Sequence, residues 1–297
     1  MSRRGWLLFM AMGLIWGVPY LLIKVSVGVL SPVSLVFLRT GLGALLLLPL
    51  AGARGQLRPL LRHWPAVLVF TAAEVAVPWL LLASAEQRLD SSLSGLLIAA
   101  VPLFGALLAW ASGTERPGGM RLTGLLVGLV GVAALVGLDV HGGDLRALVE
   151  MAGVVIGYAV GPYVLARYLS DVPGAVVTAV SLGLTALVYL PVAVFQLPRH
   201  WPSARVTGAV VVLAVLCTAA AFLLFVALIA EVGPVRATVV TYVNPAVAVA
   251  LGVLLLDEPF TLGIGLGFAL VLAGSVLATR RAPRPDPVPE PEPVSAG

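Results

Sequence analysis

The chain is short of charged residues and of cysteine, and each shortage excludes a class of protein. Charged residues make up 11% of the sequence, against roughly 25% in soluble domains, which excludes an ordinary soluble domain. Cys217 is the only cysteine, so no disulfide can form within one chain. His63, His141 and His200 fall in predicted loops, and the sequence contains no paired carboxylates, metal-ligand spacing or phosphate-binding glycine loop. We therefore predict no metal site, no cofactor and no enzyme activity.

Apolar residues are what the sequence has in abundance, at 60% of the chain and a mean hydropathy of +1.06. They form stretches of about 17 to 24 residues, long enough to cross a hydrocarbon core about 30 Å thick. The pattern predicts an all-α integral membrane protein with ten transmembrane helices. The predicted helices are 6–23, 32–50, 65–83, 92–110, 122–138, 148–166, 175–195, 206–229, 235–255 and 262–278.

The sequence repeats itself after a shift of 143 residues. Such a long period in an apolar chain is typical of a duplicated membrane half, not of a solenoid. We expect five-helix repeats at 1–138 and 148–280, followed by a disordered, proline-rich cytoplasmic tail at 281–297. The matched positions are Pro19-Tyr20 with Pro162-Tyr163, Pro102 with Pro245, Glu115 with Glu258, Gly124 with Gly267 and Gly131 with Gly274.

The basic residues predict the orientation. The formal charge of +4 is explained by membrane topology, so we predict no nucleic-acid partner. The basic start of the chain leads into an apolar run without a cleavage site, so we expect a retained first helix. With both ends in the cytoplasm, twelve of the 18 Lys and Arg residues lie inside and five outside, in agreement with the positive-inside rule. Because each repeat has an odd number of helices, the second must be inverted relative to the first.

Four prolines lie inside apolar segments at matching positions of the two halves: Pro19 with Pro162, and Pro102 with Pro245. Each removes a backbone donor and crowds the carbonyl four residues earlier. A single proline of this kind is often a tolerated kink that shapes packing. Interruptions at equivalent places in both halves indicate a central binding cavity, so we expect these prolines to break helices around it.

Two charged residues lie deep in predicted helices, Arg39 in the second and Glu74 in the third. Each costs about 2.5 to 3.5 kcal/mol at a helix centre on insertion scales. Counted from the start of its predicted helix, each residue lies near the middle of the membrane, so we expect the two to face each other. The pair could fix the packing of two helices, or it could meet substrate or a proton during transport. The equivalent residues of the second half, Leu182 and Cys217, are uncharged.

Aromatic and polar residues near these charges complete the predicted cavity. Aromatic residues in membrane helices also serve as packing or interface anchors. An amide beside a proline break at depth needs hydrogen-bond partners, which exposure to a cavity would supply. The candidate cavity residues besides Arg39 and Glu74 are Trp16, Tyr20, Thr71, Trp79, Tyr158, Tyr163, Tyr242 and Asn244.

Acidic residues at helix ends and glycines within helices are explained by helix capping and by helix packing. Glu115 and Glu258 each come just before a proline-led helix, where negative charge complements the helix N-terminus. The glycines fall near helical spacing and allow helices to approach closely. We expect packing surfaces at Gly124, Gly128, Gly131, Gly263, Gly267 and Gly274.

These motifs, in this order, resemble the EamA-type drug/metabolite transporter superfamily over about residues 5 to 280. They are the arginine of Phe37-Leu38-Arg39, the run 91–104 that leads to Glu115, and Tyr242-Val243-Asn244-Pro245-Ala246 followed by Asp257-Glu258-Pro259. The resemblance implies a permease of the inner membrane that exports small metabolites, amino acids or drugs by alternating access. It implies the lipid bilayer and a small-molecule substrate as partners, with a proton as a further candidate.

Other functions remain open from the sequence alone. A passive channel fits the hydropathy, although rings of like charge or a repeated filter sequence are missing. A membrane-embedded enzyme, or a protein of assembly or signalling, is less well supported by these residues. The sequence predicts neither the substrate nor the oligomeric state.

Overall fold

The computed structural model describes residues 2–53, 57–113, 118–139, 145–200, 202–233 and 237–279. Within these ranges the chain is helical and has no strand, which confirms the all-α fold. Glu115, His141 and the tail 281–297 lie outside them. The spanning helices are α1 (Arg3–Val27), α2 (Pro32–Ala53), α3 (Trp64–Ala85), α4 (Ser91–Ala111), α5 (Gly119–Asp139), α6 (Leu145–Tyr168), α7 (Gly174–Gln196), α8 (Ala204–Val232), α9 (Thr238–Leu256) and α10 (Leu262–Thr279).

Most of these helices are longer than the hydropathy predicts. Helix α1 begins at Arg3 because the Ser2 hydroxyl accepts a hydrogen bond from the Gly5 amide at 2.9 Å and caps the first turn. Hydropathy marks where a segment becomes polar, whereas a helix ends where its terminal amides and carbonyls find other partners. Nine of the described helices are long and apolar enough to cross a membrane, and α10 is slightly shorter.

The turns between helices collect on two opposite faces. One, here the Glu86 face, joins α1 to α2, α3 to α4, α7 to α8 and α9 to α10, and also holds the start of α6. On it the Ser31 hydroxyl donates to Gln196 Oε1 at 2.7 Å. The other, here the His63 face, has His63 Nε2 3.0 Å from Asp171 Oδ2. Helix α1 begins and helix α10 ends on the His63 face, as an even number of membrane crossings requires.

Equivalent helices of the two repeats cross in antiparallel fashion, so the repeats are inverted. In the α5–α10 pair, Gly124 lies against Gly274 and Ala278, whereas Gly131, farther along α5, lies against Val271. A Cβ atom at any of the three glycines of this seam, Gly124, Gly131 and Gly274, would meet backbone of the partner helix, which confirms the predicted packing at these three positions.

The other helix pairs follow the same symmetry. Helix α2 packs on its equivalent α7, and α4 packs on its equivalent α9. Helix α1 contacts α8 and α9, just as α6 contacts α3 and α4. All of these pairs join one repeat to the other, so the common core is built between the repeats and not within each of them.

Helices are interrupted at equivalent places, although not at all the predicted prolines. Pro102 and Pro245 each lie in the first turn of the second part of α4 and α9, after a turn at residues 99–100 and a 3₁₀ segment at Thr238–Tyr242. Pro19 and Pro162, in contrast, lie inside continuous α-helix. The expectation that they break α1 and α6 is wrong, because neighbouring groups in a bundle can satisfy the freed carbonyl.

A second pair of interruptions was not predicted. Helix α3 changes to π-helix at Thr71–Ala76, and α8 does so at Val215–Ala220. A shift of 143 residues carries one segment onto the other within one residue. Such π-segments are rare, and they occur frequently at functional sites.

Candidate functional site

Arg39 is the centre of a polar cluster in the middle of the bundle. Its side chain is 7% exposed. The Nε group donates to Thr218 Oγ1 of α8 at 3.0 Å, and the guanidinium carbon lies 3.6 Å from the centroid of the Trp79 ring of α3. Such cation–π stacking contributes about 0.5 to 2 kcal/mol, the larger value where water is excluded. The orientation of the guanidinium plane is therefore fixed by contacts of α2 with two other helices, α3 and α8.

Thr218 can receive this hydrogen bond because of the π-segment in α8. Its hydroxyl donates to the Leu213 carbonyl, five residues earlier, at 2.8 Å. With its own proton committed there, the Thr218 oxygen offers a lone pair to Arg39. The wider π-turn thus makes Thr218 an oriented hydrogen-bond acceptor in the middle of α8.

Two tyrosines complete this arrangement, which we call the Arg39 cluster: Tyr20, Arg39, Trp79, Tyr158 and Thr218. Tyr20 of α1 and Tyr158 of α6 both lie close enough to Arg39 to interact with it electrostatically, and Tyr158 also interacts with Trp79. Tyr20 packs beside Gly95 of α4. The cluster thereby collects side chains from both repeats.

Glu74 lies beside the cluster on the π-segment of α3, and its Oε2 atom is buried without a hydrogen-bond partner in the described chain. Its carboxylate packs directly on Gly161 of α6, where a Cβ atom would collide with it. The residue also interacts electrostatically with Tyr158. A buried carboxyl without a partner is costly in ionised form, so this position is suited to bind a proton or a cationic group.

The predicted ion pair between Arg39 and Glu74 is not formed. Among the residues that the structure describes, no ion pair includes either side chain. Arg39 turns towards Trp79 and Thr218, while Glu74 turns towards α6. The π-segment of α3 changes the facing of the residues near it, which a count of positions along a regular α-helix does not show.

The remaining predicted cavity residues pack elsewhere. The Thr71 hydroxyl donates to the Val67 carbonyl at 2.7 Å and shares a hydrogen bond with Ser181 Oγ of α7 at 2.8 Å. Trp16 packs against two phenylalanines of α8, with ring centroids 4.7 Å apart for Phe225 and 6.4 Å apart for Phe222. These two residues join helices to each other.

Helices α6 and α9 hold the last three predicted residues. The Tyr242 hydroxyl donates to the Ser275 carbonyl of α10 at 3.4 Å. Asn244 has a buried Oδ1 atom without a hydrogen-bond partner in the described chain. Tyr163 is half-buried on α6. Their place in a transport site remains a prediction.

Glu258 caps a helix, but not the one that the sequence suggested. Its carboxylate accepts hydrogen bonds from the amides of Ser91 at 2.8 Å and Ser92 at 2.9 Å, and from the Ser92 hydroxyl at 2.5 Å. These residues form the first turn of α4, in the other repeat. The negative charge therefore complements the N-terminus of α4, and α10, the next helix along the chain, is not its partner.

Sequence reasoning missed two residues that shape the site, Thr218 and Gly161. A threonine or a glycine in an apolar helix gives no signal of its own, because its role depends on which helix faces it. Glu86, a buried carboxylate near the site, did offer a signal, because it lies three residues after the predicted span 65–83.

Comparisons with known proteins agree with this architecture. The profile of the EamA-like transporter family matches residues 3–137 and 145–280. YvbV, an uncharacterized transporter of Bacillus subtilis, is 23% identical over 287 residues, covering 95% of this chain and 93% of that protein. YedA, an uncharacterized inner membrane transporter of Escherichia coli, is 26% identical over 276 residues, covering 91% and 88%. A crystal structure with 23% identity aligns with a TM-score of 0.67, covering 94% of this chain and 98% of that chain.

Proposed function

The chain belongs to the EamA-like transporter family, and from that premise we propose that it is an inner-membrane permease that exports a small organic molecule by alternating access. The observation that carries this proposal is the Arg39 cluster. Its side chains come from α1, α2, α3, α6 and α8, so both repeats contribute to one polar cluster in the middle of the bundle. A site between inverted repeats can face either side of the membrane as the repeats rock against each other.

The chemistry of the cluster favours a substrate with both charges or with an aromatic ring. Arg39 has no ion-pair partner among the described residues, so its guanidinium is available to a carboxylate of the substrate. Glu74 offers a buried acid for an ammonium group or for a coupling proton, and Trp79 offers a ring face. We propose a small zwitterionic or aromatic metabolite as the substrate class.

Transport explains these residues better than the alternatives. An enzyme would need a base and a nucleophile within reach of each other, and the described part of the chain holds no group of residues suited to a metal ion. A passive channel would need a continuous polar path. The Glu86 face, however, is closed by the bonds of Glu258 to α4, by the Arg88–Glu150 ion pair, and by Lys24.

Two experiments test the proposal. An untargeted comparison of metabolites in the medium of cells with and without the protein should show one or a few enriched compounds. Purified protein in sealed vesicles loaded with such a compound should then catalyse counterflow, because substrate-driven exchange requires a carrier. Efflux that runs down the gradient but never drives exchange would identify a channel instead.

Topology needs its own experiment, because the proposed orientation, with both ends in the cytoplasm, rests on the distribution of Lys and Arg residues alone. Reporter fusions after residue 60 and at the C-terminus should give a cytoplasmic signal, and a fusion after residue 143 a periplasmic one. The reverse pattern would contradict the proposed orientation and make the His63 face the outer one.

A further inference from the structure

Glu86, one residue beyond α3, is a buried acid that the proposed transport site does not use. Its side chain is 0% exposed, and neither Oε1 nor Oε2 has a hydrogen-bond partner in the described chain. On the same face, by comparison, two arginines form ion pairs with Glu150. Backbone amides of α4 donate hydrogen bonds to Glu258. Glu86 alone of these three is enclosed without a partner.

The groups that face Glu86 come from four other parts of the chain. Lys24 of α1, Arg39 of α2 and Glu258 from the α9–α10 turn all lie within electrostatic range of its carboxyl group. Tyr20 of α1 and Tyr158 of α6 also interact with it. Asp90, four residues farther along the chain, interacts with Glu258 and Lys24 instead, and burial raises its pKa.

Lys24 is close, but it does not form an ion pair with the acid. Its ammonium group donates to the backbone carbonyls of Glu86 at 2.9 Å and Leu89 at 2.6 Å. These carbonyls are the oxygens that could otherwise join the carboxylate in binding a metal cation. Because Lys24 already occupies them, the ligand best suited to the free carboxyl group is a proton.

Burial has a predictable effect on this acid. Removal from water disfavours the charged form, and it raises the pKa of Glu86 well above the ordinary range, while Lys24 acts in the opposite direction and Glu258 adds to the increase. Burial without a hydrogen-bond partner therefore favours the neutral form of the carboxyl group in this arrangement. An ionised Glu86 would also repel Glu258, whose bonds to α4 hold this face closed.

We propose that Glu86 is a proton-binding site that is occupied when the Glu86 face is closed and releases its proton to water when that face opens. The direction of the pH effect follows from linkage. An acid that binds its proton more tightly in the closed state stabilises that state at low pH, and this stabilisation is lost as pH rises. Proton binding in the closed state stands on its own, whereas its use in transport rests on the alternating access proposed above.

A distance measurement across the Glu86 face tests the proposal. Spin labels would be attached at Val29→Cys and Phe260→Cys in a Cys217→Ala background, since Val29 and Phe260 are exposed and lie in different repeats. In lipid nanodiscs, the distance distribution should shift towards longer values as pH rises. Glu86→Gln, which mimics the neutral acid, should keep the short distances at every pH.

Asp90→Asn is the matched control, because it removes a carboxylate from the same turn and should leave the pH response as in the parent. A Glu86→Gln protein that opens with pH like the parent would overturn the proposal. So would a loss of the response in Asp90→Asn alone.

Infrared spectroscopy gives a second test that does not need the Glu86 variant to fold. The parent protein should show a protonated carboxyl band at neutral pH that persists in Glu74→Gln. Complete loss of that band in Glu74→Gln would overturn the proposal, because Glu74 would then be the only neutral buried acid. If the band persists but counterflow is never found, the proton site stands and the transport proposal fails.

Discussion

The two repeats have the same backbone and different chemistry. Both carry a π-segment in their third helix, a broken fourth helix and a glycine-lined fifth helix. The first repeat places Arg39, Glu74 and Trp79 on this backbone and Glu86 just beyond its third span. At the equivalent positions the second repeat has Leu182, Cys217, Phe222 and Ile229. The shared features determine how helices bend and approach, whereas the charges occur in one half only.

This difference separates two requirements of a transporter. Rocking between two states needs matched interruptions in both halves, because each half must be able to take the conformation of the other. Binding needs only one set of charges at the centre. The second repeat contributes mainly acceptors and space, through Thr218 and Gly161.

The largest effect is expected from removing the central charge. Arg39→Leu should lower counterflow of the exported compound by about 10- to 100-fold, because the loss of one charge-assisted hydrogen bond costs about 1.5 to 3 kcal/mol. Expression should be retained, because Thr218 keeps its bond to the Leu213 carbonyl.

The double variant Arg39→Leu/Glu74→Leu separates this interpretation from a structural ion pair. Since the two side chains are not paired in the structure, the second change should not restore transport. Recovery of transport in the double variant would show that they pair in another state of the cycle and that the pair is a scaffold.

Exchanging equivalent residues between the repeats should have the next largest effect. The first repeat has Val18 where the second has Gly161, and Gly161→Val would drive a side chain into the Glu74 carboxylate. Overpacking of this kind costs about 1 to 3 kcal/mol. The melting temperature in detergent should fall, and adding Glu74→Ala should restore it.

Gly208→Val is the control for that exchange. Gly208 also lies inside a helix, but a Cβ atom there would meet nothing within 4 Å. Equal loss of stability in both variants would mean that helix propensity, and not contact with Glu74, explains the effect.

Cutting the bond between the repeats at Glu258 should have a smaller effect. Glu258→Ala leaves the amides of Ser91 and Ser92 without their acceptor, which typically costs about 1 to 2 kcal/mol for a helix cap. Thermal unfolding should show this loss. Glu231 is an exposed acid on the His63 face that accepts a hydrogen bond from the Ser2 hydroxyl. The control variant Glu231→Ala should change the free energy of unfolding by less than about 0.5 kcal/mol. A larger effect at Glu231 would contradict the importance of the α4 cap.

The smallest difference concerns the paired tyrosines. Tyr20 is 7% exposed and Tyr163 is half-buried. In a Cys217→Ala background, a cysteine at position 163 should react with a small water-soluble thiol reagent faster than one at position 20. Equal rates, both reduced by substrate, would instead show that the tyrosines border the cavity symmetrically.

The sequence predicted the fold well because its signals are local or periodic. Ten apolar stretches and a 143-residue repeat are sufficient for ten helices in two inverted halves, and glycine spacing marked packing surfaces on α5 and α10 without showing that these two helices pack on each other. The site was predicted less well. Tyr20, Arg39, Trp79 and Tyr158 do come together, but the Arg39–Glu74 pair does not form. The π-segments that turn these side chains have no pattern in hydropathy, and Thr218 becomes a partner only through the packing of α8 against α2.

The seam between α5 and α10 has a consequence for how the protein is made. Gly124 and Gly131 need backbone of α10 at close range, yet four helices, α6 to α9, separate α5 from α10 along the chain. The glycine stripe of α5 is therefore synthesised before the helix that covers it, and it has no α10 to pack on until α6 to α9 have been made. A chain truncated before α10 should leave this stripe uncovered, because the backbone that packs on it is missing.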